Sequence, residues 1–252
     1  MNADKDQINI RRSRKRGVYL LPNLLTTMAL FAGFFSIISA MGENFYASAI
    51  GIYTAMLLDG IDGRVARLLN VESDFGKEFD SLSDMLCFGI TPSIVIYQWA
   101  SPVLFNYGED IQRLGWVATF VYTVCAACRL ARFNANHQTR DKKYFQGLPS
   151  PPAASCIAAI TWLSQIYPIQ DFWVVIIAIS LPVVLGTTMV SNLSYFSFKD
   201  FSLIEKLPFG KFLSVPLLIA LVAINPPVIL FSLFIAYFFA SPAFRLIKHF
   251  RK

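Results

Sequence analysis

The sequence predicts an all-α protein, a polytopic transmembrane bundle of about eight helices with both termini in the cytosol. Three observations carry that expectation. Of 252 residues, 55% are apolar and only 15% are charged, against about 25% charged in an ordinary soluble domain. Mean hydropathy is +0.52, and apolar stretches near the roughly 20 residues needed to cross a bilayer recur along the chain. Basic residues collect in alternate gaps between those stretches, the pattern expected of cytosolic loops.

Residues 1–18 form a basic tail with Arg11, Arg12, Arg14, Lys15 and Arg16. It reads as a cytosolic tail entering a retained helix, because no small-residue cleavage site follows. Residues 19–252 then form one integral membrane domain. The expected helices cover 19–41, 44–69, 77–101, 113–134, 151–167, 171–190, 211–224 and 227–247. The seventh is short, and Asn225-Pro226-Pro227 separates it from the eighth, because proline removes a helix donor and clashes with the preceding turn. Arg64, Arg67 and Lys77 follow the second helix, and Arg140, Lys142 and Lys143 follow the fourth. Lys199, Lys206 and Lys211 follow the sixth, and Arg245, Lys248, Arg251 and Lys252 close the chain. The intervening gaps carry no more than Arg113. The formal net charge of +6 is thus accounted for by topology, and no nucleic-acid partner is expected. Cys125 and Cys128 have C-x-x-C spacing, but they lie in an apolar run without a second pair and read as helix packing. Trp116, Trp162 and Tyr167 read as interfacial anchors.

The chemistry concentrates between residues 59 and 84. Asp59 and Asp62 are three apart, and Asp80 and Asp84 are four apart, so on helices each pair shares a face. A short connection around residues 70–75 makes the two helices neighbours, and four carboxylates then converge at the cytosolic end of an apolar bundle. Carboxylates that close repel, and divalent cations relieve the repulsion. Oxygen ligands without histidine suit Mg²⁺ or Mn²⁺, and four carboxylates can hold two such ions, the arrangement that clamps a phosphate under displacement. Gly60, Gly63, Ala66 and Gly76 keep the adjoining surface small, leaving room for a ligand or allowing close helix packing.

The spacing D-x-x-D-G-x-x-A-R-x₈-G-x-x-x-D-x-x-x-D fits residues 59–84 without a gap. It resembles the signature of the CDP-alcohol phosphotransferase family. Residues 19–26, 79–85, 129–134 and 144–151 extend the likeness toward the branch that is integral to bacterial membranes and uses serine as acceptor. The resemblance implies a six-helix core, here with two further C-terminal helices, and a homodimer. It implies that Asp59, Asp62, Asp80 and Asp84 hold two divalent metal ions and that Asp84 is the general base. Asn23, Thr26, Gly63, Ala66, Arg67 and Gly76 would bind the CDP donor. The donor would be CDP-diacylglycerol and the acceptor L-serine, giving phosphatidylserine and CMP by direct displacement in a bacterial inner membrane, with the site facing the cytosol.

Arg129 and Arg132 share a helix face and are candidates to grip the acceptor's carboxylate, with Ser150 beside them as an acceptor contact or a helix N-cap. Glycerol 3-phosphate or inositol phosphate remains an alternative acceptor. A cation-coupled transporter and a non-catalytic lipid-binding scaffold remain alternatives of other classes.

Overall fold

The computed structural model describes residues 2–69, 71, 73–135, 144–196, 220 and 222–250, with side chains placed over a smaller set that begins at Leu20. The elements are α1 (Asn2–Met41), α2 (Phe45–Leu68), α3 (Asp74–Asp84), a π-helical segment (Met85–Ile90), α4 (Thr91–Asn106), α5 (Glu109–Ala135), β1 (Tyr144–Gln146), α6 (Ser150–Ile166), α7 (Asp171–Val190), β2 (Ser194–Phe196) and α8 (Pro226–Phe250). The expected helix over 211–224 falls largely outside the described residues, as do Arg140, Lys142, Lys143, Lys199, Lys206 and Lys211.

Local chemistry explains where the helices begin. Asn44 caps α2, its side chain accepting from the Ala47 N–H at 3.0 Å. Ser73 caps α3, accepting from the Gly76 N–H at 3.0 Å, so this helix starts three residues before the expected Lys77. Helix α5 also starts early, at Glu109 instead of Arg113. Glu109 and Asp110 occupy its first turn, where carboxylates complement the helix dipole. Helix α1 begins at Asn2 and carries the basic residues in the same helix as the first span. Helix α7 runs over the expected 171–190.

The expected third span is a continuous helical rod from Asp74 to Asn106, widened at Met85–Ile90, where the Thr91 N–H reaches the Leu86 carbonyl five residues back. Pro92 lies just beyond and has no N–H to offer the Phe88 carbonyl four residues earlier. The buried Tyr122 hydroxyl of α5 donates to that carbonyl at 3.0 Å. The Cys87 thiol donates to the Ala29 carbonyl, and the Thr91 hydroxyl to the Gly33 carbonyl, both at 3.3 Å. The π segment is thereby tied to α1 on one side and α5 on the other.

Packing is inside-out relative to a soluble protein. The interior is built of small residues, among them Ala32, Ala49, Ala55, Ala126 and Ala158, while Leu20, Phe31, Phe34, Phe105 and Phe120 face outward. Lipid is as apolar as leucine, so side-chain size and packing govern which face turns in. Helices α1 and α2 pack along each other; a Cβ on Gly51 would come within 2.8 Å of the Ala32 carbonyl oxygen. Helix α6 is central. Its residues Cys156–Trp162 are all buried, and it contacts α2, α4 and α8. Leu20–Met41, Asp74–Asn106, Glu109–Ala135 and Asp171–Val190 are long and apolar enough to cross a membrane. In α2 Asp59 and Asp62 lower the hydropathy, and α6 has only 17 residues.

Two features differ from expectation. Trp162 is not an interfacial anchor: it is 9% exposed and packs edge-on to Tyr46 at 5.2 Å, because α6 lies in the middle of the bundle. A short antiparallel ladder also pairs β1 with β2, Phe145 opposite Tyr195. Gly147 follows with φ +79°, and a Cβ there would collide with the Met189 carbonyl. Glycine alone permits both the left-handed turn and the approach. Its N–H donates to the Leu193 carbonyl at 2.7 Å, fastening the segment before α6 to the end of α7.

Candidate active site

The second half of α2 and the length of α3 bring the acidic residues together. Oxygens of Asp59, Asp62 and Asp80 all lie within 4.8 Å of one another. Asp62 is 3% exposed, and Thr26 of α1 donates to its Oδ2 at 2.6 Å. That short bond to a carboxylate is of the strong, charge-assisted kind. It fixes the orientation of Asp62 from a third helix. Ser83 of α3 in turn donates to the Thr26 carbonyl at 3.4 Å.

Asp84 sits on the next turn of α3, where the charges of Asp59 and Asp80 bear on it. Its Oδ1 is buried and has no hydrogen-bond partner among the described residues. Carboxylates gathered this closely repel one another, and a cation among them relieves the repulsion. The all-oxygen donor set and this orphaned buried oxygen both fit hard divalent cations of the Mg²⁺ or Mn²⁺ type.

A cleft of about 240 Å³ opens above the acids. Asn23, Thr26, Gly63, Ala66, Arg67 and Gly76 all line it, together with Asp62 and Asp80. A Cβ on Gly63 would meet nothing within 4 Å, so that glycine borders open space and does not serve helix packing. Arg67 and Lys77 bring two cations to the wall. Lys77, Ser73, Ser81, Phe133 and Asn134 also line the cleft, and sequence reasoning did not single them out. Lys77 and Ser81 adjoin Gly76 and Asp80 one helical turn apart, so their place was implicit in the phase of α3. Asn134 donates to the Ser81 hydroxyl at 3.0 Å and closes the cleft from α5.

The three expected acceptor residues separate. Arg129 donates to the Ser150 hydroxyl at 2.7 Å, and its positive charge acts on Asp84. Ser150 is wholly buried and is the first residue of α6; the cap position belongs to Pro149. Arg132 points elsewhere. Its guanidinium donates twice to the Val190 carbonyl, at 3.0 and 3.1 Å, and once to Asn192 Oδ1 at 3.3 Å. It closes the C-terminus of α7, where carbonyls lack intrahelical donors.

Fold and site together define a polytopic α-helical membrane protein with a metal-competent carboxylate cluster under a cation-rimmed cleft. Residues 19–190 match the family model described as CDP-alcohol phosphatidyltransferase. The chain belongs to that family and is an enzyme, which overrides the transporter and scaffold readings. It is 36% identical over 209 residues to the CDP-diacylglycerol–serine O-phosphatidyltransferase of Helicobacter pylori, covering 83% of this chain and 84% of the relative. It is 31% identical over 142 residues to the Bacillus subtilis protein of the same name, covering 56% and 75%. It is 32% identical over 178 residues to the archaetidylserine synthase of Methanothermobacter thermautotrophicus, covering 69% of each.

Proposed function

We propose that the chain transfers the phosphatidyl group of CDP-diacylglycerol to the hydroxyl of L-serine, releasing CMP and forming phosphatidylserine. The observation that carries the reading is the juxtaposition in one site of the Asp59–Asp62–Asp80 cluster and a cleft walled by Arg67 and Lys77. Serine as acceptor is supported by the names of the relatives. Residues 19–252 form the catalytic domain, and residues 1–18 are a basic appendage to it. The enzyme works as a homodimer in a bacterial cytoplasmic membrane, site and termini toward the cytosol, an orientation the basic gaps support.

Asp59, Asp62, Asp80 and Asp84 would hold two Mg²⁺ or Mn²⁺ ions, which supply charge stabilisation at the phosphoryl oxygens when bound. Arg67 and Lys77 orient the pyrophosphate of the donor, with Asn23, Ala66 and Gly63 shaping the room for the cytidine. Thr26 keeps Asp62 in position. Serine's hydroxyl is a weak acid, so Asp84 takes its proton while the oxygen–phosphorus bond forms, as a general base does. The bond from phosphorus to the CMP oxygen breaks in the same displacement, with inversion at phosphorus. Arg129, steadied by Ser150, faces the carboxylate of serine, and Arg132 holds the end of α7 in place.

The test is CMP release from CDP-diacylglycerol by purified protein in detergent, with L-serine, glycerol 3-phosphate or inositol phosphate in parallel. Each is run with Mn²⁺, Mg²⁺ or chelator. The expected result is release that needs both serine and metal. Release driven by a phosphorylated acceptor instead would refute the acceptor, and chelator-insensitive release would refute the metal role.

A further inference from the structure

Helix α1 meets both halves of the acidic cluster through one stripe of residues. Thr26, Ala29 and Gly33 are spaced i, i+3, i+7, so they share a face. Their backbone carbonyls accept in turn from the side chains of Ser83, Cys87 and Thr91, at 3.4, 3.3 and 3.3 Å. The three donors are 3%, 1% and 0% exposed, so water does not compete for these carbonyls. Each donor stands four residues after the last. In an α-helix a four-residue step drifts by about 40°, and donors so spaced would turn away from a neighbouring helix. The wider turn at Met85–Ile90 takes up that drift and keeps the three donors in line along α1.

The two helices also meet at a hard stop. A Cβ on Gly33 would stand 2.8 Å from Cys87 Sγ, 3.1 Å from Leu86 Cδ2 and 3.3 Å from Cys87 Cα. Interiors packed this closely transmit a displacement and do not absorb it. Thr26 lies two helical turns along α1 from that stop. Its hydroxyl donates to Asp62 Oδ2 at 2.6 Å, and its carbonyl accepts from Ser83, which lies between Asp80 and Asp84 in the chain. One residue of α1 is thus bonded to an acid of α2 and to the helix that carries the acids of α3.

We propose that the Gly33 stop and the Ser83–Cys87–Thr91 ladder set the spacing between the acids of α2 and those of α3, and so the fit of the cluster to a divalent cation. Gly33, Ser83 and Cys87 are positioning residues in this scheme. None is among the residues that line the cleft, and each acts through Thr26 and Asp62. The inference rests on the metal role of the acids argued above and adds to it the residues outside the cleft that tune it. Long hydrogen bonds between neutral groups suit the task, because each contributes little to stability while three in line fix the register of one helix on another.

The test reads Mn²⁺ binding directly, from the electron paramagnetic resonance signal of the free ion over purified protein in detergent, with neither substrate present. The variants are Gly33→Ala, Ser83→Ala, and Gly33→Ala combined with Cys87→Ala. Gly33→Ala should raise the Kd for Mn²⁺ by about tenfold, the scale of disturbing an outer partner of a metal-bound carboxylate. Ser83→Ala should raise it by about threefold, within the range of one neutral hydrogen bond. Adding Cys87→Ala removes the sulfur that the new methyl group meets and should return Gly33→Ala most of the way to wild-type affinity. Gly115→Ala is the control for overpacking as such. Its Cβ would come within 2.5 Å of Leu104 Cδ1 between α4 and α5, and it should leave the Kd unchanged. In CMP release with L-serine, Gly33→Ala should move the Mn²⁺ midpoint by the same factor as the Kd, with KM for serine at saturating Mn²⁺ unchanged. Wild-type Kd in both Gly33→Ala and Ser83→Ala would overturn the proposal, as would an equal rise in Gly115→Ala or a double variant no tighter than Gly33→Ala alone. Should Gly33→Ala fail to fold, Ser83→Ala and the double variant decide by the same reading. Wild-type protein that binds Mn²⁺ while the variants match it would sink this inference alone. Wild-type protein that binds no Mn²⁺ would sink the metal role of the acids and the inference with it.

Discussion

Thr26→Val tests the geometry of the carboxylate cluster through a residue that does not itself belong to it. Valine matches threonine in shape, so the packing of α1 against α2 is retained. What is lost is the 2.6 Å hydrogen bond from Oγ1 to Asp62 Oδ2, with the longer 3.1 Å contact of the same hydroxyl to the Pro22 carbonyl. Both residues are buried, at 4% and 3% exposure, so water cannot replace the donor. Hydrogen bonds to charged groups contribute about 1.5–3 kcal/mol. At about 1.4 kcal/mol per decade, that is roughly a 10- to 100-fold loss in affinity for a cation held by Asp62. Losing an outer partner of a metal-bound carboxylate has the same scale in general. The assay is CMP release titrated with Mn²⁺, which should show its midpoint displaced upward by at least about tenfold. The rate at saturating metal should fall far less, and the melting temperature without metal should drop by a few degrees, because a buried carboxylate loses its donor. A midpoint within experimental error of wild type would show that Thr26 does not orient a ligand, and the assignment of Asp62 to the metal set would lose its main structural support.

Asp84→Asn should remove nearly all serine-dependent CMP release from protein that still elutes as a folded species in size-exclusion chromatography; wild-type turnover would refute Asp84 as base. Gly51→Val should lower the melting temperature in detergent, since a Cβ there sits 2.8 Å from the Ala32 carbonyl oxygen and overpacking costs about 1–3 kcal/mol; an unchanged melt would mean that α1 and α2 separate more readily than their packing suggests. Arg132→Ala should lower thermal stability by about 1–2 kcal/mol, the range for loss of hydrogen bonds at a helix end, with a much smaller effect on KM for serine than Arg129→Ala. The opposite ranking would place Arg132 at the acceptor.

Much of this architecture was legible because the bilayer imposes a length on each span. The run over 171–190 announces α7 to the residue, and the spacing of Asp59, Asp62, Asp80 and Asp84 announces the acidic face before any fold is known. What hydropathy could not reveal is which face of each helix turns inward, since lipid rewards apolar residues on the outside as well. Trp162 was misplaced for that reason: its aromatic character suggested an interface, and its neighbours Ala158, Ala159 and Ile160 gave no hint of a central helix. The β1–β2 ladder has three residues per strand, too few to display alternation. Ser81 and Asn134 lay within segments that carried the family likeness but were given no site role, because single polar residues resemble ordinary packing until the helices are set side by side.

The widened turn at Met85–Ile90 gives the chain a form of genetic fragility. A π segment holds one residue more than an α-helix of the same span. Deleting a single codon there would leave every flanking residue helical and the apolar run long enough to cross a bilayer. It would also turn α3 against α4 by about 100°, one residue's share of an α-helical turn. Asp80 and Asp84 would swing away from Asp59 and Asp62 while α4 stayed in its groove. Such a protein would insert, fold and be scored as intact by any test of topology, yet its four carboxylates would no longer meet. The extra residue is thus a register mark, with the acid-bearing turns of α3 read on one side of it and the packing face of α4 on the other.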